Sequence, residues 1–574
     1  MQEINSLSTD LEDRPVAQID IKFDHLCVGE DDTILKAMEI IEIGKERICF
    51  VVDSSKRLLS VVSDGDIRRA LIKGCSLSDP VKNVHDRQPI TARDTNPEQA
   101  IDQLSKWVTV VPVVNVENRI TGIARLNEFS STHNIRQRSV AIVGLGYVGL
   151  TLAVVLADNG FSVVGFDRNE DLINKLKRKE APFYENGLEN LLQTHMDGGF
   201  RPTKVPDDVR AEIYIITVGT PVQNETKKPD VEYIKTAVRS IASKLKLNDL
   251  VILRSTVPVG CTRNIVIPIL EEVSGLKVGD DFFVAYCPER TAEGRALREL
   301  RELPQIVGGF DQNSRQLSMR FFNENTHTVI DVGSIESAEM CKLLDNTYRD
   351  TIFGYANQMA IFAEHHGMNL KELIKKVNVG YERNRIPFPS PGVGGPCLSK
   401  DPYILMDGFS NLGLDCTVTA AARKINEAAP KLIYNRCRDL LTKVGKEIKN
   451  EKVFIIGFAF KGEPVTSDLR ESTTLWFLEY MKTKGVTDIW GYDPVVNDSH
   501  LTDLGIKNCT LDEGFKDASV VFIMNNHRSY SDININYFLG TMSKPAVFFD
   551  GWNMFPPKDM KNIPGILYSA VGVG

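Results

Sequence analysis

Two short stretches of this 574-residue chain carry residue types that do chemistry. Residues 390–403 read SPGVGGPCLSKDPY, so Cys397 follows Gly392, Gly394 and Gly395 and precedes Lys400 and Asp401. A thiolate is a strong nucleophile, and a lysine beside it is a stabilising charge. The other reading is a small thiol that packs as an apolar group and happens to follow glycines. Cys287 and Cys341 lack such a setting and read as packing residues. The second stretch is VAIVGLGYVG, in which Gly144-x-Gly146-x-x-Gly149 follows an apolar strand and opens a helix. Glycines there permit a tight turn and let a pyrophosphate approach the N–H groups of the helix start. Asp167 ends the next strand, 18 residues past Gly149, where it can accept from ribose hydroxyls. A carboxylate at that position favours NAD over NADP, and Arg168 beside it pulls slightly the other way.

The bulk composition sets limits on what these stretches serve. A net charge of −8 argues against a general nucleic-acid binder. No run of about 18 apolar residues is present to span a membrane. The N-terminus, MQEINSLSTDLEDRP, is polar and acidic and lacks a secretory core, so a cytoplasmic address is expected. Ten cysteines without a C-x-x-C pair imply reduced thiols, with neither a disulfide framework nor a zinc site. The nine histidines do not fall at metal-ligand spacing, and no metal is expected.

The elements that must position the candidate residues come in distinct textures. Residues 1–17 read as a disordered tail. Between 18 and 134 one pattern occurs twice: TILKAMEIIEIGK, RICFVVD, SSKR and LLSVVSDGDIRRAL, then NPEQAIDQLSKW, VTVVPVVN, VENR and ITGIARLNEF. Each copy reads helix, strand, turn, strand, helix, and two copies together can bury a core that one cannot. From Arg138 apolar strands (IYIITVG, LVILRS, FVAYCP) alternate with helices, which implies a parallel, doubly wound sheet over 138–325. Thr220 in VGTP and Thr256 in STVPVG lie just past strand ends, the edge where such sheets bind ligands. A long helical run over 334–366, broken by Gly367, opens a central segment at 326–440. A second α/β segment, 441–574, carries strands at KVFIIGFAF, DIWGYDP, SVVFIMN and AVFFDG.

Taken in order, VGLGYVG, VGTP, STVPVG, CPERTAEG, AEMCKLLDNTYR, SPGVGGPCLSKDP and GFAFKGEPVTSDLRES resemble the UDP-glucose/GDP-mannose dehydrogenase family from 138 to 574. CPERTAEG followed by RELPQIVGG is most similar to the branch acting on UDP-N-acetylhexosamines such as UDP-N-acetylmannosamine. The resemblance implies two Rossmann-like doubly wound domains joined by a long central helix. It also implies NAD-dependent, four-electron oxidation of a sugar C6 hydroxyl to a carboxylate. UDP-glucose, or GDP-mannose, is the alternative substrate, and a sugar-nucleotide-binding regulator without turnover is the alternative class.

The second oxidation explains the cysteine, because an aldehyde must become tetrahedral before it can lose another hydride. A thiohemiacetal and then a thioester provide that route. By resemblance Cys397 is the nucleophile, with Lys342 and Asn346 as donors to the C6 oxygen and to substrate. Asp401 and Glu293 are the proton handlers, and Thr256 orients water. The cofactor set is Gly144, Gly146, Tyr147, Val148, Gly149, Asp167, Arg168, Thr220, Thr256 and Lys400. Substrate contacts fall to Glu289, Arg290, Arg383, Arg385, Gly394 and Lys461, one of the two arginines reaching a neighbouring subunit. Asp468, Arg470 and Ser472 belong to a signature whose spacing here departs from the commoner form.

The long helix resembles the family's dimer core, so a homodimer or larger assembly follows. The double repeat resembles a cystathionine-β-synthase-type (CBS) pair, an α+β module that commonly binds adenine nucleotides. In the first copy Ser63 would meet phosphate and Asp66 ribose, and the second copy has Arg125 and Glu128 there instead. Packing or oligomerisation alone is the other reading of this pair, and Asp66 can equally cap the helix that follows it.

Overall fold

A computed structural model describes residues 17–20, 23–44, 48–84, 89–94, 108, 110–126 and 135–574. The expected N-terminal tail up to residue 16, the second-copy helix at 96–107 and Glu128 lie outside the described residues. The chain divides into two compact units, residues 1–133 and 134–574.

In the first unit the two copies share one strand pattern. Cys27–Gly29 pairs parallel with Ile48–Val52, which pairs antiparallel with Leu58–Ser63. Ala92–Arg93, Val110–Val114 and Ile120–Leu126 repeat that order, and each copy shifts register at the same place, Val51/Val52 and Val113/Val114. The short leading strand of each copy was not legible in the sequence, because two or three residues are too few to alternate. Ala17–Asp20 pairs antiparallel with the last strand of the second copy. Leu26, Phe50 and Leu58 of the first copy bury against Val110, Val114 and Ile123 of the second, so neither copy completes its core alone.

The second unit begins with an eight-stranded sheet. Its order is Phe200–Thr203, Val163–Phe166, Val140–Val143, Ile213–Ile216, Leu250–Leu253, Phe283–Tyr286, Gln305–Gly309 and Val329–Ser334. The first six strands are mutually parallel, and all but the edge strand Phe200–Thr203, whose Arg201 is exposed, are the buried apolar runs that such a sheet implies. The expectation of an all-parallel sheet fails at one pair, because Phe283–Tyr286 runs antiparallel to Gln305–Gly309. The connection between them, which holds the seven-residue helix Ala296–Glu302, leaves and re-enters the sheet at the same edge. Residues 287–295 therefore stay at the carboxyl edge, where ligands bind.

Ser334 caps the 31-residue helix Ile335–His365 by accepting the Ser337 N–H. The helix ends before Gly367, whose φ of +65° suits a left-handed stop. A second long helix, Thr417–Lys443, crosses it so closely that a methyl group on Gly354 would lie 2.8 Å from the Ala422 Cβ. The six-stranded C-terminal sheet, ordered Lys507–Asn508, Ile489–Tyr492, Val453–Ile456, Val520–Ile523, Ala546–Asp550 and Ile566–Ala570, is parallel throughout. Among the described residues no helix is long and apolar enough to cross a membrane.

Candidate active site

The glycine turn has the shape its sequence implies. Gly144 sits at φ +98°, and a Cβ on Gly149 would lie 1.8 Å from the Gly144 carbonyl oxygen, so only glycine closes this turn. Gly146 faces open space instead and is exposed, as Val148 is in part. Thr217 Oγ1 donates to the Gly144 carbonyl at 2.6 Å and ties the neighbouring strand end to the turn. Asp167 is the brace on the other side: it accepts the N–H of Leu145 at 2.8 Å and that of Asn169 at 2.9 Å. Its oxygens keep lone pairs for ribose hydroxyls. Arg168 is exposed, its guanidinium 5.8 Å from the centre of the Tyr233 ring. Thr220 Oγ1 is buried with no partner, and Thr256 is half-buried on the loop past the Leu250–Leu253 strand. An open glycine turn, an orphaned hydroxyl at the strand edge and a cavity of about 630 Å³ over Leu145, Gly146 and Tyr147 fit a dinucleotide.

The central helix builds the other wall. Glu339, Lys342, Asn346 and Asp350 recur every three or four residues on one buried face. Lys342 Nζ donates to the Glu289 carbonyl, and Asn346 donates to Asp401 Oδ2 at 2.5 Å. Asp401 is fully buried and also accepts from Lys400, whose charge burial opposes but Asp401 and Cys397 strengthen. Lys400, read from the sequence as the thiol's counter-charge, is thus paired with Asp401.

Cys397 stands one turn ahead of the helix Asp401–Asn411 and is open to the cleft. Water reaches it, yet the protein around it is dense enough to push the thiol up, with Asp401 and Glu293 adding to that push. Lys342 exerts the larger opposing pull and Lys400 the smaller. The balance favours the protonated thiol.

Glu293 lines the cavity over the glycine turn. Burial first, and then Asp468, push its carboxyl up to about 7, against Arg470 and Lys461. Thr466 Oγ1 donates to it at 3.2 Å, Arg470 approaches at 3.4 Å, and Lys461 Nζ donates to its backbone carbonyl at 2.8 Å. Arg470 also grips Asp468 through both carboxylate oxygens, and Ser472 caps the helix Thr473–Thr483. A second cavity of about 680 Å³, lined by Lys227, Lys400, Lys431, Trp476 and Tyr480, shares Arg470 with the first.

Other residues fall differently from expectation. Glu289, assigned by resemblance to substrate, has its carboxylate engaged within the protein. Its carboxylate is buried against Arg254 at 2.7 Å and accepts the N–H groups of Arg290 and Thr291 at 2.7 Å each. Arg290 pairs with Asp345 at 2.7 Å. Arg383 and Arg385 are exposed; Arg383 lies over Tyr381, and among the described residues neither forms an ion pair. The glycines before Cys397 pack closely against the protein. A Cβ on Gly394 would meet the Glu471 carbonyl oxygen at 2.2 Å, and one on Gly395 the Phe460 ring at 2.6 Å.

Four supports escaped the sequence reading. Arg254 is fully buried and donates to Glu289, to the Cys287 carbonyl and to Gln305. Arg423 donates to Asp350, to the Leu398 carbonyl and to the Val393 carbonyl, and so clamps the Cys397 loop from both sides. Glu185 binds Tyr147, and Glu339 accepts the N–H groups of Gly260 and Thr262 beside Thr256. A charge closing an apolar strand (Arg254 in LVILRS) is the one signal available beforehand.

In the first unit Ser63 and Asp66 form a capping box: Ser63 Oγ accepts the Asp66 N–H, and Asp66 accepts the Ser63 N–H at 3.0 Å. Asp66 also pairs with Arg69, so the capping reading of Asp66 is the one observed.

Comparison with known proteins decides the family. Residues 138–326 match the NAD binding domain of the UDP-glucose/GDP-mannose dehydrogenase family, 336–428 its central domain and 454–557 its UDP binding domain. A UDP-N-acetyl-D-mannosamine dehydrogenase of Pyrococcus horikoshii is 31% identical over 76% of this chain and 99% of its own. The chain belongs to the UDP-glucose/GDP-mannose dehydrogenase family. It is an NAD-dependent nucleotide-sugar dehydrogenase, an oxidoreductase. The solved UDP-D-ManNAc dehydrogenase of P. horikoshii superposes with a TM-score of 0.69 at 30% identity, over 76% of this chain and 99% of that one. An NDP-N-acetyl-D-galactosaminuronic acid dehydrogenase of Ralstonia solanacearum is 30% identical over 69% of this dehydrogenase and 92% of its own length. Residues 16–73, the first copy of the repeat, match the CBS domain.

Proposed function

We propose that this dehydrogenase oxidises the C6 hydroxyl of a UDP-N-acetylhexosamine, UDP-N-acetylmannosamine first, to the uronate through a covalent Cys397 intermediate. One observation carries the reading. Residues far away in sequence, Glu293, Lys342, Lys461 and Arg470, join the neighbouring Lys400 and Asp401 in acting electrostatically on the exposed Cys397 thiol. The relatives named for UDP-N-acetylmannosamine support the choice of sugar.

NAD supplies the hydride acceptor, used twice per sugar. Glu293, neutral or charged near pH 7, takes the hydroxyl proton through water as the aldehyde forms. Glu293 passes that proton on to solvent; the Cys397 sulfur then adds to the aldehyde carbon, and its proton passes to the freed carboxylate as the aldehyde oxygen is protonated from water. Lys342 and Asn346 turn from Glu289 and Asp401 to the C6 oxygen, where such donors are worth about 3 kcal/mol each. Loss of the second hydride together with the thiohemiacetal hydroxyl proton leaves a thioester, and addition of water cleaves its C–S bond to release the carboxylate and a proton and restore the thiol. Lys461 and Arg470 face the same cleft with positive charge suited to a diphosphate.

Two further parts belong to the proposal. Leu344, Tyr348, Tyr355 and Phe362 make an exposed apolar stripe along the central helix, which supports a homodimer through that face. An adenine nucleotide at Ser63 and Asp66 would displace Arg69 and regulate the enzyme; unchanged rate and assembly on adding ATP or AMP would remove this part.

The test is NADH formation across UDP-N-acetylmannosamine, UDP-N-acetylglucosamine, UDP-glucose and GDP-mannose, with and without Cys397→Ser. Preference for a UDP-N-acetylhexosamine and loss of turnover in the variant support the proposal. A preference for UDP-glucose, or full turnover without the thiol, overturns it.

A further inference from the structure

Tyr147 belongs to the cofactor turn by its backbone, yet its hydroxyl serves another loop. It donates to Glu185 Oε2 and accepts the Gly294 N–H at 2.9 Å. The same N–H lies 2.7 Å from Glu185 Oε2, so three groups share one small network. Glu185 is buried, and Phe183 from the same loop packs on the Tyr147 ring with centroids 4.8 Å apart. Gly294 is fixed from a third direction: its φ is +87°, and a Cβ there would lie 2.4 Å from the Val465 carbonyl oxygen. The residue before it is Glu293, which lines the same cavity as Gly146 and Tyr147.

We infer that Tyr147 and Glu185 are positioning residues that couple the NAD-occupied glycine turn to the loop carrying Glu293. Dinucleotide on the turn fixes the start of its helix, and Tyr147 passes that order to the Gly294 N–H and so to Glu293. Cofactor thereby prepares the proton acceptor before sugar arrives. The consequence for catalysis rests on the role proposed above for Glu293, whereas the coupling itself does not.

Hydrogen exchange in the full-length protein separates the two. Saturating NAD is expected to slow exchange of the segment 291–296 by roughly fivefold, the effect of tightening one hydrogen bond. Tyr147→Phe is expected to bind NAD within a few-fold of wild type and to show none of this added protection. Equal protection in the variant, or none in wild type, overturns the coupling. Glu185→Gln keeps the size of the side chain and weakens the acceptor, so it carries the test if Tyr147→Phe fails to fold. NAD-induced protection unchanged in Glu185→Gln would likewise overturn it. In turnover, Tyr147→Phe is expected to move the limb of the pH–kcat profile near 7, an effect that general destabilisation does not produce. A wild type inert toward every sugar, with Tyr147-dependent protection intact, would overturn the proposed substrate and keep the coupling.

Discussion

Replacing Arg254 by Met tests how the substrate-side loop is held. The guanidinium is 2% exposed and serves Glu289, the Cys287 carbonyl and Gln305 at once. Burial alone would raise the Glu289 carboxyl, and Arg254 followed by the Thr291 N–H brings it below the ordinary glutamate value. A depressed carboxyl stabilises the fold above its unfolded pKa, about 4.3, and that stabilisation is lost as pH falls through the folded value. Without Arg254 the carboxylate is left buried and unpaired, which costs about 3–5 kcal/mol. At about 2–4 °C per kcal/mol for a domain of 150–250 residues, the Tm of the dehydrogenase unit should fall by roughly 10 °C at pH 8. The gap should narrow toward pH 4.5, where the unpaired Glu289 protonates, and adding Glu289→Gln should recover part of it at pH 8. Scanning calorimetry at both pH values reads all of this. A fall below about 2 °C at pH 8, or an equal fall at both, would refute the reasoning.

Gly394→Ala should destabilise by about 1–3 kcal/mol and depress kcat, since the methyl meets the Glu471 carbonyl oxygen three residues from the nucleophile; thermal melts and initial rates check this. Activity should rise with pH through about 7, as Glu293 deprotonates, and Glu293→Gln should flatten that limb while losing about 10²–10⁴-fold in kcat. Asp66→Ala should cost the N-terminal unit about 1 kcal/mol with no nucleotide present, because the capping box is lost; a melt of the full chain that leaves its transition unmoved would contradict this.

Much of the framework was legible because its signals are local. Apolar runs located five of the eight strands of the first large sheet and four of the six of the second, and three glycines with Asp167 located the dinucleotide turn. The spacing of Lys342 and Asn346 placed both on the helix face that the structure buries. The direction of the antiparallel strand Gln305–Gly309 was hidden, since it depends on which edge of the sheet the preceding connection returns to. Arg254, Glu185 and Arg423 were hidden for a related reason. Each is an ordinary charge in sequence, and only the chain's return past Glu289, Tyr147 or Asp350 gives it a partner. Glycine gave the subtlest lesson: Gly394 signals a close approach, but the sequence does not say to what, and the partner is the Glu471 backbone.

The most direct test of the account is the stoichiometry of a single experiment with UDP-N-acetylmannosamine and excess NAD. Two NADH per sugar consumed, with a thioester-linked adduct on Cys397 in acid-quenched enzyme and neither in Cys397→Ser, is the expected result. One NADH per sugar with release of an aldehyde, or two NADH from the serine variant, would contradict the covalent mechanism.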